Sequence, residues 1–272
     1  MPTPKDERDF PLGGVVGYAG LGKLPKSFTT SEPMVIRDQG YGTDICQSDA
    51  MCSVAEDQDG VIFDPLYTFR NVKRIMGDPQ GNEWGADLRS TCKSAVDYGF
   101  LPTTKFIAES TTTEEQRNFA LGANAYKKSD DSLAAPYKKE SFFVVSGTFF
   151  DTFDKFRSAI WQTRSEKRSV LTGCNWNPKW TNAKNGVVES IGGGTTFGHA
   201  VKAYGWDSDY LVLQLSNGAE IGKQGIFTVH RSVVNAAFVY GGFTFLDLPR
   251  QEAEYQLRRI GFFKYWLKTI IA

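Results

Sequence analysis

The sequence predicts an α+β fold made of two lobes with a cleft between them. The first hundred residues carry apolar side chains at helical spacing, whereas after about residue 141 short apolar runs alternate with Gly, Asn and Asp turns, which is typical of β-strands. At 272 residues the chain is long for one average domain but suits one fold with two lobes and a sizeable core. We therefore expect a helical lobe, an antiparallel β lobe and a cleft where they meet.

Composition narrows the functional class. Lys plus Arg and Asp plus Glu both number 31, so the formal net charge is zero and nothing favours nucleic acid as a partner. The four cysteines form no CxxC pair and no histidine lies at metal-finger spacing, so we expect no metal site. The amino terminus lacks an export signal pattern, and no apolar run approaches the roughly 18 residues of a spanning helix. A cytoplasmic or virion-associated protein acting on peptides or proteins fits these observations.

The chain divides into three predicted segments. Residues 1–35, rich in Gly, Pro and charge, are predicted to form an extended arm across the folded body. Residues 36–247 form the main domain, with a helical lobe at about 36–102, a connector at about 103–140 that carries at most one short helix, and a β lobe at about 141–247. Residues 248–272 are predicted to form an amphipathic helix.

Three helices are predicted in the first lobe. Asp44 is placed to cap the first one with Gln47 as its capping-box partner, which puts Cys46 in the first turn. The second helix covers 64–76 and begins at an Asp-Pro pair, and the third covers 85–98 and ends at Gly99. In the second lobe we expect one helix at 151–162 and strands at 141–147, 169–176, 198–206, 210–216 and 225–231.

The predicted carboxy-terminal helix has a broad apolar face beside basic side chains. We favour its packing against the body of the protein or a neighbouring subunit, in a homo-oligomer or larger assembly through residues 249–272, over a helix lying on a membrane surface. The apolar face consists of Tyr255, Leu257, Ile260, Phe263, Trp266, Leu267 and Ile270.

The chain has two histidines, so a thiol–imidazole pair must use one of them. His199 follows a glycine-rich segment and precedes a run that reads as a buried strand, whereas His230 lies at a strand end beside Arg231 and reads as a solvated residue. A cysteine in the first turn of a helix that faces an imidazole should have a lowered pKa, because the helix dipole and the imidazolium both favour the thiolate. Cys46 and His199 are therefore the candidate pair.

Several separated blocks resemble the papain-like (C1 family) cysteine peptidases, most closely their compact prokaryotic and viral branch. The blocks span about residues 35 to 232 and keep the family order. They are Asp38-Gln39-Gly40 before Cys46, Asp64-Pro65-Leu66-Tyr67, Gly85-Ala86-Asp87-Leu88-Arg89 with Tyr98-Gly99-Phe100-Leu101-Pro102, Gly198-His199-Ala200-Val201 with Tyr204-Gly205, and Gly218, Gly222 and Gly225. The resemblance implies the two-lobed papain-like fold, a peptide or protein substrate and no cofactor.

The resemblance also implies the roles of the site residues. Cys46 would attack the peptide carbonyl, His199 would move the proton, and Gln39 would donate to the oxyanion. The sequence departs from the family pattern at three places. The loop from Gln39 to Cys46 is one residue longer than usual, and Gln47 replaces an aromatic residue. Leu215 occupies the place of the asparagine that orients the histidine. Asn217, two residues on, is the tentative substitute as orienting residue.

Two functions follow from the sequence. The first is a papain-like thiol peptidase that works through a Cys46 acyl-enzyme. The second is a catalytically impaired papain-fold module for binding or assembly, for example a structural component of a virion that docks through its carboxy-terminal tail. The persistence of cysteine, histidine and glutamine together favours the enzyme, because a purely structural role would require none of them.

Overall fold

The computed structural model describes residues 24–40, 44–103, 113–122, 125–145 and 151–246. Most of the predicted arm and the whole predicted carboxy-terminal helix lie outside these residues. Seven α-helices are described: α1 Cys46–Asp59, α2 Pro65–Ile75, α3 Leu88–Asp97, α4 Thr113–Leu121, α5 Lys128–Ala134, α6 Thr152–Gln162 and α7 Arg231–Ala237. None of these helices is long and apolar enough to cross a membrane.

Eight strands are described, and the prediction of an α+β fold is confirmed. They are β1 Ser27–Thr29, β2 Ser141–Val144, β3 Val170–Trp176, β4 Val187–Val188, β5 Phe197–Asp207, β6 Tyr210–Gln214, β7 Ile226–His230 and β8 Gly242–Leu246. The sheet order is β2-β8-β3-β5-β6-β7-β4, and β1 pairs with the far end of β5. All pairs are antiparallel except β4 with β7.

The sheet has a hydrophobic core on each face. Helices α6 and α7 cover one face, where Phe153, Phe156, Val201, Phe227 and Val233 pack together. Helices α1 and α3 cover the other face, where Met51, Val54, Cys92, Leu171 and Phe243 pack together. Because α1 is buried along most of its length, its amino-terminal end is held against the face of the sheet near the central strand β5.

The predicted second and third helices form as expected. Asp64 caps α2 by accepting hydrogen bonds from the backbone N–H groups of Leu66 and Tyr67, at 2.8 and 3.3 Å. Asp87 caps α3 by accepting from Ser90 N–H at 2.8 Å. Gly99 follows the last turn of α3 with φ of 79°, a left-handed conformation that favours glycine.

Two predictions about the helical lobe are wrong. The residue before α1 is Ile45, which makes no side-chain capping bond, because the Asp44 carboxylate instead accepts from Gly85 N–H at 3.0 Å and Arg117 Nε at 3.2 Å. The connector at 103–140 contains two helices, α4 and α5, rather than at most one. Each of these helices buries only a few side chains against the lobe, so its sequence lacks the apolar pattern by which a helix is recognised.

A buried ion pair joins α1 to β5. Lys202 on β5 places its Nζ 2.7 Å from Asp57 Oδ1 on α1, and Ser169 Oγ donates to Asp57 Oδ2 at 2.9 Å. Burial lowers the pKa of Lys202, and the Asp57 carboxylate opposes that shift. Both charges are nearly inaccessible to water, so each depends on the other for compensation.

A second buried ion pair holds the amino-terminal part of the chain against α1. Arg37 forms a bidentate contact with Glu56, one bond of which, Nη1 to Oε2, measures 3.0 Å. The same guanidinium donates to Ser53 Oγ at 2.9 Å and to Phe63 O at 3.0 Å. The segment that carries Gln39 is thereby fixed to the helix that begins at Cys46.

We expect Lys202→Met to lower the free energy of unfolding by roughly 3–5 kcal/mol, because it leaves the Asp57 carboxylate buried without its cation. Urea unfolding followed by tryptophan fluorescence measures this change. The double substitution Lys202→Met with Asp57→Leu should recover at least half of the loss. Lys184→Met, at an exposed lysine, is the control and should change stability by less than about 0.5 kcal/mol. An equal loss in the single and double variants would contradict the account.

Candidate active site

One cavity of about 380 Å³ brings the predicted site residues together. Gln39, Cys46, His199 and Asn217 all line it, although they come from three separate parts of the sequence. Cys46 is the first residue of α1 and is half-buried. His199 lies in β5, next to Ala200, whose backbone N–H faces the thiol. The contact between α1 and β5 is therefore what places the thiol beside the imidazole strand.

The imidazole of His199 lies in an apolar and aromatic environment. Its side chain is only 4% exposed, and the Trp176 ring packs edge-on against it with centroids 5.6 Å apart. Burial lowers the pKa of His199 to about 4, and the Asn217 side chain opposes this shift. Nε2 of His199 makes no hydrogen bond of normal geometry among the described residues, so Asn217 is a near neighbour of the ring rather than a tightly bonded partner.

Asn217, not Leu215, faces the imidazole. Leu215 is buried in the core of the β lobe, as its side chain requires. Strand β6 ends at Gln214, and Asn217 enters the site through an isolated β-bridge to Asp38. The sequence position of the family's orienting asparagine is occupied by Leu215. Asn217 faces the imidazole instead because the chain leaves the regular strand before it reaches the cavity.

The same bridge holds Gln39. The backbone N–H of Gln39 donates to Ser216 O at 2.8 Å, and Ser216 Oγ donates to Gln39 Oε1 at 2.7 Å. Gly218 N–H donates to Arg37 O at 2.9 Å. Because Ser216 takes the carbonyl end of the Gln39 amide, the orientation of that amide is fixed at the edge of the cavity. The longer loop between Gln39 and Cys46 includes residues 41–43, which lie outside the described residues.

The predicted lowering of the Cys46 pKa is wrong for the resting protein. Burial raises the pKa of the thiol to about 11, and the carboxylates of Asp49 and Asp44 raise it further. The backbone N–H groups of Ala200 and Gln47 oppose the shift but do not reverse it. Part of Cys46 remains accessible through the cavity, so the desolvation arises from surrounding protein atoms rather than from complete exclusion of water. The raised pKa of the thiol and the lowered pKa of the imidazole both favour the neutral forms of the pair.

Asp49 is a buried carboxyl group one turn along α1 from Cys46. Its Oδ1 lies 3.7 Å from Arg37 Nε, while Oδ2 makes no hydrogen bond among the described residues. Burial raises the pKa of Asp49 to about 7, with Arg37 opposing the shift and Glu56 adding to it. Arg37 is already engaged with Glu56, so it compensates the second carboxylate only weakly.

Several residues line the cavity although the sequence analysis assigned them no role in the site. Gln47, which replaces the usual aromatic residue, is buried and places its Oε1 3.7 Å from Cys46 Sγ. Tyr240 donates to Asn175 Oδ1 at 2.8 Å and, with Leu88, borders Gly173. A Cβ on Gly173 would lie 3.0 Å from Tyr240 Cβ, so glycine keeps this end of the cavity open. These residues come from α1, α3, β3 and the segment before β8, and they meet only through tertiary packing, which no local pattern encodes.

The remaining candidates lie elsewhere. His230 caps α7, accepting a hydrogen bond at Nδ1 from Ser232 N–H at 3.3 Å, and does not line the cavity. Cys52, Cys92 and Cys174 are fully buried in the cores. Among the described residues no group of three or more His, Cys, Asp or Glu side chains could hold a metal ion.

Comparison with known proteins identifies the fold. No protein-family model matches the chain, and no curated protein matches it in sequence. Xylellain, a cysteine protease from Xylella fastidiosa, aligns with a TM-score of 0.71 at 18% identity over 91% of this chain and 95% of its own. Procathepsin L 3 from the larval midgut of Tenebrio molitor aligns with a TM-score of 0.63 at 16% identity over 89% and 75%.

Bromelain from Ananas comosus, in complex with the E64 inhibitor, aligns with a TM-score of 0.56 at 15% identity over 82% of this chain and 98% of its own. The chain therefore has the papain-like fold, as the sequence resemblance implied. At these identities the likeness shows the fold, and the branch within the family stays a prediction.

We expect the alkylation of Cys46 by uncharged iodoacetamide to accelerate about tenfold per pH unit between pH 6 and 9, because the thiolate fraction grows with pH below a pKa of about 11. The rate is measured by mass spectrometry of the Cys46 peptide, with Cys46→Ser as the blank. A preformed thiolate–imidazolium pair would instead give a rate that is independent of pH across neutrality, and such a plateau would contradict the neutral pair.

Asp49→Asn should stabilise the protein increasingly as pH rises. The pKa of Asp49 in the folded protein, about 7, lies above its value in the unfolded chain. Ionisation of this carboxyl group therefore lowers the free energy of unfolding by an amount that is zero below about pH 4 and grows until about pH 7. Relative to the parent, the free energy of unfolding of Asp49→Asn should rise by up to about 4 kcal/mol between pH 4 and pH 8. Urea unfolding at both values tests this, with the exposed Asp97→Asn as control. A difference that does not grow with pH refutes the assignment.

Proposed function

We propose that this protein is a thiol peptidase that hydrolyses peptide bonds through an acyl-enzyme on Cys46. The observation that carries the proposal is the joint lining of one cavity by Gln39, Cys46, His199 and Asn217 in a protein with the papain-like fold. Neither a metal nor an organic cofactor is needed for this reaction.

The proposed reaction starts from the neutral pair. As Cys46 Sγ attacks the peptide carbonyl carbon, its proton passes to the imidazole of His199, which acts as a general base. The carbonyl oxygen becomes an oxyanion, to which the backbone N–H of Cys46 and the side-chain amide of Gln39 are proposed to donate. Preorganisation by Ser216 supports the role of Gln39, since the amide need not reorient as charge develops.

The tetrahedral intermediate then collapses with cleavage of the C–N bond. The imidazolium of His199 returns its proton to the leaving amine, and a thioester remains on Cys46. Water attacks the thioester carbonyl while His199 takes its proton, and cleavage of the C–S bond releases the carboxylic acid and regenerates the thiol. Asn217 is proposed as the residue that keeps the imidazole correctly oriented during both proton transfers.

The walls of the cavity favour a peptide with apolar side chains. Trp84 and Phe197 line the cavity and are 63% and 50% exposed, which leaves two large aromatic surfaces beside the thiol. Leu88, Gly173 and Tyr240 add a mutually contacting, largely apolar part of the wall. A peptide bound with its backbone carbonyl at Cys46 would bury apolar side chains against these surfaces.

A non-catalytic module for binding or assembly is the second candidate function. The raised pKa of the Cys46 thiol favours it, because a neutral thiol is a weak nucleophile. In that case the cavity would bind a peptide segment without cleaving it. Docking through residues 249–272, and a place in a virion, stay predictions because that segment lies outside the described residues.

A peptide epoxide distinguishes the two functions. At pH 7 the peptidase should be labelled at Cys46 alone and should cleave members of a peptide library. Cys46→Ser and His199→Ala should abolish both activities, and His230→Asn should change neither. A protein that binds the peptide but is neither labelled nor active would be a binding module instead.

Asn217→Ala should lower kcat by roughly tenfold to a hundredfold while KM changes little, because the lost orienting contact is worth about 1–3 kcal/mol and acts in the proton-transfer steps. Steady-state kinetics on a cleaved peptide measures both constants. Asn118→Ala, at an exposed asparagine of α4, is the control. An unchanged kcat in Asn217→Ala would remove Asn217 from the mechanism.

A further inference from the structure

A second cavity, of about 200 Å³, lies on the helical lobe between α2 and the start of α5. It shares none of its lining residues with the cavity that contains Cys46. Four cationic side chains and one carboxylate line it: Arg70, Arg74, Lys127, Lys128 and Asp131. The proposed peptidase reaction makes no use of any of these groups.

The positive charge of this cavity is poorly compensated. Asp131 Oδ1 already accepts a hydrogen bond from the Tyr67 hydroxyl at 2.9 Å. Among the described residues, neither arginine nor either lysine of the cavity forms an ion pair. Arg74, Lys127 and Lys128 are exposed whereas Arg70 is buried, so an anion bound among them would offset the repulsion between like charges most strongly at Arg70.

Arg70 is the buried cation of this cavity, and its charge is only weakly compensated. Only 9% of the residue is exposed, yet its one hydrogen bond to a described residue is a long one, from Nη1 to Tyr126 O at 3.4 Å. Its guanidinium also lies over the Tyr126 ring, 5.5 Å from the centroid. Burial and the neighbouring Arg74 lower the pKa of Arg70 and outweigh the opposing effects of Tyr126, Asp131 and Tyr67, so the nearby anionic charge compensates this buried cation only in part.

An amide group completes the cavity wall. Asn71 is 1% exposed, and its Nδ2 makes no hydrogen bond of normal geometry among the described residues, although the amide lies near the Tyr67 hydroxyl. Its Oδ1 accepts from Arg74 Nη1 at 3.4 Å, which turns the amide nitrogen away from that arginine. A buried amide donor in a cationic cavity is matched by an acceptor-only ligand.

We propose that this cavity binds a phosphate group, either as the free ion or as a small phosphate monoester. Two arginine forks and two ammonium groups match the charge and the several acceptor oxygens of a phosphate dianion better than those of a single carboxylate. The volume leaves room for a small organic group beside the phosphate. The site is independent of the proposed peptidase activity and would persist if the protein were only a binding module.

Isothermal titration calorimetry on the full chain tests the site at constant ionic strength. The probes are inorganic phosphate, phenyl phosphate and, as a monoanionic control, acetate. Arg74→Gln removes an exposed cation of the cavity and should weaken phosphate binding about fivefold or more. Asp131→Asn removes the carboxylate while it keeps an acceptor for Tyr67, and should tighten binding about threefold to tenfold.

Arg164→Gln is the matched control, since this exposed arginine lies on the other lobe over the Trp161 ring. It should leave phosphate binding unchanged. Tighter binding of phenyl phosphate would identify a monoester ligand, and tighter binding of inorganic phosphate would identify the free ion. Absence of saturable binding up to about 10 mM of either phosphate overturns the proposal. Binding that responds equally to Arg164→Gln and Arg74→Gln, or does not respond to Asp131→Asn, also overturns it.

Discussion

The contact between α1 and β5 is the constraint on which the candidate site depends. At one end of this contact the Ala200 backbone N–H faces Cys46, and further along it Lys202 is paired with Asp57 inside the protein. A buried ion pair has little freedom of position, because sliding either element would separate two desolvated charges. The ion pair therefore opposes sliding of α1 along β5, the two elements that carry Cys46 and His199.

The burial that orders this site also determines the starting state of its chemistry. A helix dipole favours a thiolate at the first turn, whereas desolvation and the carboxylates of Asp49 and Asp44 raise the pKa of the Cys46 thiol. Burial likewise lowers the pKa of the His199 imidazole, which favours its neutral form. A reaction that starts from the neutral thiol and imidazole must couple proton transfer to nucleophilic attack. Because no thiolate–imidazolium pair is present at the start, a bound peptide that displaces water does not have to neutralise one.

The sequence predicted most of the fold and the chemical groups of the site, but not how all of them are supported. Cys46 and His199 could be identified because rare residue types stand beside local helix and strand signals. Asp44 could not be placed, since its partners Gly85 and Arg117 are distant in sequence and outcompete the local capping bond. The prediction of at most one helix in the connector was too low because the polar sequences of α4 and α5 lack the apolar period that reveals a helix. The choice between Leu215 and Asn217 depended on the bridge to Asp38, a tertiary contact.

The protonation state of His199 is the central quantity of this account, and NMR of the ¹⁵N-labelled imidazole measures it directly. His230→Asn leaves His199 as the sole histidine, so its ring nitrogens can be followed without ambiguity from pH 3 to 9. We expect a neutral ring at pH 7 that gains its proton only near pH 4. A charged ring at pH 7 that becomes neutral in the Cys46→Ser background would show a preformed thiolate–imidazolium pair and would contradict the account.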